Sequence, residues 1–341
     1  MSLSKFSLAP ALLFGALGGS LGSVITKLRG KESINVSGGD NGIAEVFLIK
    51  AKNRIEGLRT LLKQFDINEF RDKKVALKAN FNSADPFPAS THIDTLRVIV
   101  KEIKSAGASE IILAERSGMG RTREVLEALG VFDLAKELDF KVLVLDEIGG
   151  DGWVKVEADG THWLRGFYIA KIFLEADKVV QTCCLKTHRF GGHFTMSLKN
   201  SVGLVAKRVQ GVNYDYMAEL HTSPYQRLMI AEINRFYKVD LVVMDAMKAF
   251  VRGGPEKGEI VEPNLLIAGR DRVAVDAVGV AILRIYGTTE NLQRGRIFDL
   301  DQIKRASEIG VGVKSPSSIK IIPLDGESAE ITKEIETKLM A

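Results

Sequence analysis

"KKVALKANFNSADPFPASTHIDTLRVIVKEIKSAGASEIILAE", residues 73–115, is the stretch that decides the fold. It opens on an apolar strand, KKVALKANF (73–81), and runs into a loop holding Pro86 and Pro88. Thr91 starts a helix that continues through Ile103 and stops at Gly107. SEIILAE (109–115) is a second strand. A strand, a crossover helix and a second strand lie parallel when they share a sheet. Ile111, Ile112 and Leu113 are apolar at consecutive positions, which suits a strand covered on both faces.

The alternation extends outward from there. AEVFLIK (44–50) reads as a strand, and RIEGLRTLLKQF (54–65) as a helix with its stripe at Ile55, Leu58, Leu61, Leu62 and Phe65. TREVLEALGV (122–131) is a helix and KVLVLDE (141–147) a strand. Further on, DKVVQTCCLK (177–186), VDLVVMDAM (239–247), PNLLIAG (263–269) and SSIKIIPL (317–324) read as strands. FTMSLKNSVGLVAK (194–207), SPYQRLMIAEINRFY (223–237), DRVAVDAVGVAILRIYG (271–287) and DLDQIKRASEIGVG (299–312) read as helices. The expected class is α/β: a mostly parallel sheet with helices on both faces and an embedded α+β subregion near 148–235. Residues 1–43 read as an arm or signal/anchor segment plus linker, 44–325 as one large unit, and 326–341 as a C-terminal tail.

Composition narrows the function classes. The 341 residues are 45% hydrophobic and 26% charged, ordinary for a globular chain. A net charge of +4, from 47 basic and 43 acidic residues, argues against a nucleic-acid partner. The only cysteines, Cys183 and Cys184, are adjacent on a strand and point to opposite faces, so no disulfide joins them and no iron–sulfur cluster is expected from this chain. Residues 6–26 carry no charge, a length that suits a signal or a membrane tether. Pro10, several glycines and the basic residues that follow (Lys27, Arg29, Lys31) speak equally for a soluble arm. Cytoplasmic and exported or tethered locations therefore both stay open, as does a homo-oligomer.

In open α/β sheets, ligands bind beyond the carboxyl ends of the strands. The residues at those ends are polar here. Strand 73–81 delivers Lys78 and Asn80, strand 109–115 ends in Glu115, and strand 177–186 leads to Lys186 and His188. Strand 239–247 contains Asp245, and a Gly253-Gly254-Pro255 loop follows it. The densest stretch is CLKTHRFGGHFTMSLKNSVG (184–203), with Lys186, His188, His193, Ser197, Lys199 and Asn200 around Gly191-Gly192. A polar strand exit is ordinarily just a solvated turn. Lys78, inside an apolar strand, instead needs an acid, for which Glu115 and Asp245 are the candidates. Lys186 and Lys199 flank apolar segments, which favours an anion cradle.

The expected roles follow from these residue types. Lys78, Lys186 and Lys199 bind or polarise a small anion, a carboxylate or a phosphate, with Asn80, Asn200, Ser197 and the bare backbone of Gly254 beside them. His188 is the expected general acid/base, because its unperturbed pKa lies nearest neutrality. Together His188, Lys186 and Lys199 are the catalytic candidates. Glu115, Asp245 and Asp276 orient the lysines or hold a divalent metal. His188 and His193, spaced H-x4-H, are a weak metal pair. Proton transfer of an isomerase or lyase kind is the favoured chemistry. A ligand- or cofactor-binding accessory protein of a redox pathway and a mononuclear metal-dependent enzyme are the rivals.

Three stretches carry a family resemblance: VALKANFNSADPFPASTH (75–92), LKTHRFGGHFTMSLKNSVG (185–203), and VVMDAMKAFVRGGPEKG (242–258) with IAGRDRVAVDAVG (267–279). There the chain resembles the domain of unknown function 362 (DUF362) family, over roughly residues 44–325. Many members of that family add a cysteine-rich ferredoxin-type segment. This chain has none, so the resemblance implies no cluster-based redox role for it. A fainter similarity is to nickel-pincer lactate racemases, which pair an early strand–loop–helix unit with a later glycine-rich loop bearing a lysine. It is an analogy of layout.

Overall fold

The structure is a computed structural model that describes residues 42–341. The reading of residues 6–26 as a signal, tether or arm falls outside the described residues. Among those residues no helix is long and apolar enough to cross a membrane.

The described residues form twelve strands: β1 (Ala44–Lys50), β2 (Lys74–Lys78), β3 (Glu110–Glu115), β4 (Lys141–Val144), β5 (Trp153–Val156), β6 (Phe167–Ala170), β7 (Lys178–His188), β8 (His193–Phe194), β9 (Leu241–Gly253), β10 (Gly258–Val261), β11 (Leu265–Gly269) and β12 (Ile319–Pro323). The main sheet runs β12-β1-β11-β9-β7-β2-β3-β4, with β10 added to β9 and β8 to β7. β11 is antiparallel to both its neighbours. The other pairings along that path are parallel. The sheet is therefore mostly parallel, as an α/β fold requires.

Alternate residues of each strand feed two apolar layers. On β2, Val75 and Leu77 join Leu96 and Ile99 of the helix Ile93–Ser105, while Ala76 belongs to the opposite layer with Val278 and Ile282. Consecutive apolar residues are what such a strand needs, since neither face meets water. Cys183 and Cys184 are both free and buried. Burial of Cys184 in this sheet pushes its thiol up to about 12, so it stays protonated and inert.

Several elements differ from the expectation. The single helix expected over 122–131 is two, Thr122–Ala128 and Val131–Leu138, separated at Gly130 with φ +71°. A helix at Tyr216–Thr222, capped by Asp215, escaped notice because only seven residues form it. Within 148–235, β7 belongs to the central sheet, while β5 and β6 pair apart from it. Residues 326–341 are no loose tail. Asp325 starts a capping box for the helix Gly326–Met340, whose Ile335 and Leu339 are buried against the core.

Asp245 is the buried tie between the sheet and the helices on one face. Its Oδ2 accepts from Arg54 Nε at 2.8 Å and from Thr95 Oγ1 at 2.5 Å, and its Oδ1 from the Met247 amide at 3.1 Å. Replacing Arg54 by Met leaves this carboxylate short of its cation. The expected cost is about 2–3 kcal/mol, read by denaturant unfolding.

Candidate functional site

The carboxyl ends of β7, β2 and β3 lie side by side, and each delivers a charged residue to one cavity of about 250 Å³. Lys78 ends β2 at only 2% exposure, where an unpaired ammonium is prohibitively costly. Its Nζ donates to Glu115 Oε1 at 2.5 Å, to the Ala79 carbonyl at 2.5 Å and to Asn200 Oδ1 at 3.1 Å. Burial drives both partners toward their neutral forms, lowering Lys78 and raising Glu115, and their attraction opposes it. Glu115, not Asp245, is thus the acid that Lys78 requires. Gly203 closes over the pair: a Cβ there would stand 2.5 Å from Lys78 Cε and 2.7 Å from its Nζ.

Lys186, equally buried, has no carboxylate. Its Nζ donates to Asn80 Oδ1 at 2.7 Å and to the Ala89 carbonyl. The loop carrying these acceptors is itself tied back, Asn80 N to Thr91 Oγ1 and Thr91 N to the Asn80 carbonyl. Burial lowers the Lys186 pKa.

Lys199 and Asn200 come from Ser197–Asn200, a single helical turn followed by a 3-10 turn, Ser201–Leu204, and not from a continuous helix over 194–207. Two residues from elsewhere explain the break. Asp276, on the helix Arg272–Ile285, accepts the Ser197 and Leu198 amides at 2.8 and 2.9 Å and so caps the turn. Arg116 takes the Val202 and Val205 carbonyls at 2.8 Å each, pulling the chain off a helical path. Asn200 Oδ1 then reaches Lys78, while Lys199 enters the cavity with no hydrogen bond or ion pair to any described residue. Burial, with Lys186 and Arg116 nearby, lowers its pKa to about 7.

His188 lines the same cavity, and its Nδ1 is buried without a hydrogen-bond partner among the described residues. Burial and the cations of Lys199 and Lys186 push its pKa well below the usual histidine range, so the ring is neutral at physiological pH. Gly192 permits the arrangement. A Cβ on it would lie 3.0 Å from both His188 Nδ1 and Lys199 Cε, so those atoms are no further apart than twice that distance.

Of the residues singled out from sequence, Lys78, Asn80, Glu115, Lys186, His188, Lys199 and Asn200 line this cavity. Five others do not. Asp245 serves Arg54, and Asp276 serves the capped turn. Ser197 Oγ donates to Gln181 Oε1 at 2.9 Å, away from the cavity. Gly254 is bare because a Cβ would fall 2.0 Å from the Thr187 carbonyl, and its own carbonyl accepts from Arg189; its neighbour Pro255 reaches the lining instead. His193, at φ +61°, sits beside Arg227 and Asp301. Among the described residues no three of His, Cys, Asp or Glu come together as a metal site.

Residues missed from sequence are Arg116, Lys207 and His221, while the Thr195 hydroxyl expected in the anion cradle lines the cavity. Arg116 directly follows Glu115, so the strand-end rule would have found it. His221 follows no spacing rule and reaches the cavity only through packing; its Nδ1 lies 2.6 Å from the Met217 carbonyl.

A family model described as "Domain of unknown function (DUF362)" matches residues 75–281. No curated protein matches the chain. Among solved structures, the lactate racemase apoprotein from Thermoanaerobacterium thermosaccharolyticum is similar at a TM-score of 0.43 and 15% identity, covering 90% of this chain and 89% of that one.

Two outcomes follow from this geometry. Gly203→Ala crowds the Lys78 ammonium where it meets Glu115, so it should lower the melting temperature in thermal melts. Folding lowers the Lys199 pKa from 10.5 to about 7, so the unfolded chain holds that proton more tightly. The penalty on the folded state is full below pH 7 and fades as pH rises toward 10.5. Lys199→Met should therefore raise the melting temperature below pH 7, with a gain that shrinks at higher pH in thermal melts.

Proposed function

The chain belongs to the DUF362 family, whose description assigns no activity, and we propose that it is an enzyme acting on a small anionic substrate, a carboxylate or phosphate compound, by proton transfer of an isomerase or lyase kind. The observation that carries this reading is the charge of the cavity. Five cationic side chains line it (Lys78, Arg116, Lys186, Lys199 and Lys207) against one carboxylate, Glu115, which Lys78 already occupies. An enclosed surplus of positive charge is paid for in desolvation and is relieved by an anion. The volume, at the low end of the range for ligand pockets, selects a small one.

The roles differ from those expected of the residue types alone. Lys186, fixed on Asn80 and the Ala89 carbonyl, is a rigid ammonium suited to hold the anionic group and to stabilise negative charge developing next to it. Lys199 is the group that exchanges a proton near neutrality, since its amine has no hydrogen bond or ion pair to any described residue and its pKa is lowered to about 7. His188 stays neutral and offers a hydrogen bond, where sequence alone assigned it the proton. The Lys78–Glu115 pair and Asn200 hold Lys199's turn in place.

Calorimetric titration with inorganic phosphate and with a panel of short carboxylates tests the binding half. Affinity should fall as pH is raised through 7, because Lys199 loses its charge, and should drop at least tenfold in Lys186→Met. Deuterium incorporation from D2O at the carbon beside the carboxylate, followed by NMR, tests the chemistry. Exchange that is present in the wild type and lost in Lys199→Met supports it. Binding without exchange across the panel would make the chain a binding protein instead.

A further inference from the structure

We infer that Lys199 is a point of covalent attachment: the cavity takes a short 2-oxo acid, whose carbonyl carbon condenses with Lys199 Nζ to form an imine while Lys186 holds the carboxylate. The inference rests on the proposed reading of the cavity as an anion site and names the substrate class within it.

The three buried lysines are not equivalent. Lys78 Nζ lies 2.5 Å from Glu115 Oε1 and also donates to the Ala79 carbonyl and Asn200 Oδ1, so its amine is fully engaged by the protein. Lys186 Nζ faces two acceptors, Asn80 Oδ1 and the Ala89 carbonyl, so it remains a donor. Lys199 faces no acceptor among the described residues, and its charged neighbours are cations. An amine in such company gives up its proton readily, which is the condition for a nucleophilic lysine. The lowered pKa of Lys199 agrees with that arrangement.

The surroundings suit the later steps. The neutral Nζ attacks the carbonyl carbon, an N–C bond forms, and the carbonyl oxygen takes a proton to give a carbinolamine. The C–O bond then breaks, one water leaves, and the N=C bond is made, with no oxidant or reductant consumed. The two protons of the Nζ amine pass to the departing oxygen, which leaves as water, and that oxygen needs a hydrogen-bond partner beside the Lys199 stem. His188 stands there as a neutral imidazole, its Nδ1 buried and without a partner among the described residues, and Gly192 supplies the space between them. Val202 and Met217, both buried, give the cavity an apolar wall that limits access of water to the imine. In the imine the carbon beside the carboxylate carries no hydrogen; its nitrogen draws electrons and eases loss of a proton to water from the next carbon along, so with a 2-oxo acid the exchange is read at that carbon and Lys199 acts as the electron sink instead of the proton acceptor.

The test is reductive trapping of the full chain with pyruvate and cyanoborohydride, followed by peptide mass mapping. One reduced pyruvate per chain on Lys199, diminished by competing lactate, is the expected result; lactate carries the carboxylate and lacks the ketone. The location is read on the unmodified sequence, so it does not depend on a variant folding. Lys199→Arg, checked for folding by its thermal melt, should lose the adduct. Absence of an adduct, or labelling spread over exposed lysines and unchanged in Lys199→Arg, overturns the inference. Calorimetry with phosphate and lactate on the same preparation separates the two readings: binding retained without trapping removes the imine and leaves the anion site, while loss of both removes both.

Discussion

A lysine at the end of a buried strand cannot be left alone, and much of the site follows from how Lys78 is compensated. Its ammonium is shared between Glu115 on the adjacent parallel strand and Asn200 on a distant turn. That sharing joins the ends of β2 and β3 to the segment carrying Lys199. It also explains the small residue at Gly203, where any side chain would displace the lysine. A buried ion pair of this kind adds little net stability. What it supplies is position, because the three elements can satisfy the charge in one arrangement only.

The second layer of control is backbone capping by charged groups far away in sequence. Asp276 holds the amides of Ser197 and Leu198, and Arg116 holds the carbonyls of Val202 and Val205. Between them the chain is confined to one helical turn, which aims Lys199 into the cavity and Asn200 at Lys78. Behind that turn, Ser201 donates to Asn234 Oδ1, and Arg272 donates to the same oxygen. Asp276 and Arg272 of the apolar helix Arg272–Ile285 therefore support the turn that carries Lys199, which resolves why a carboxylate stands in so hydrophobic a helix.

The electrostatics reverse an expectation drawn from residue type. Histidine is the side chain whose ordinary pKa is closest to neutrality, and lysine is normally charged. In this cavity His188 is enclosed among cations and remains neutral, while Lys199 is brought down to about 7 by burial and by Lys186 and Arg116. The titrating role moves from the imidazole to the amine because a pKa reports the field at a site, and that field is the sum of groups from four separate segments.

The α/β class and the strand-end location of the polar residues were determined by the sequence itself. Apolar runs such as Ile111-Ile112-Leu113, and helical stripes between them, have a period that only a parallel layered sheet can bury. Five cavity residues, Lys78, Asn80, Glu115, Lys186 and His188, were legible for the same reason, since a polar side chain closing an apolar strand has one place to go; Lys199 and Asn200 were legible from the polar stretch around Gly191-Gly192. The assignments of Asp245, Asp276, Ser197, Gly254 and His193 could not be made that way. Whether a carboxylate faces a ligand or a backbone amide depends on which segment packs against it, and Arg54 and the 197–204 turn are remote in the chain. The helical run expected over 194–207 fails for a related reason: local propensity was overruled by Asp276 and Arg116, contacts that exist only once the chain has folded. Which residues share a cavity, and which of them holds a proton at neutral pH, are properties of distances that no spacing along the chain encodes.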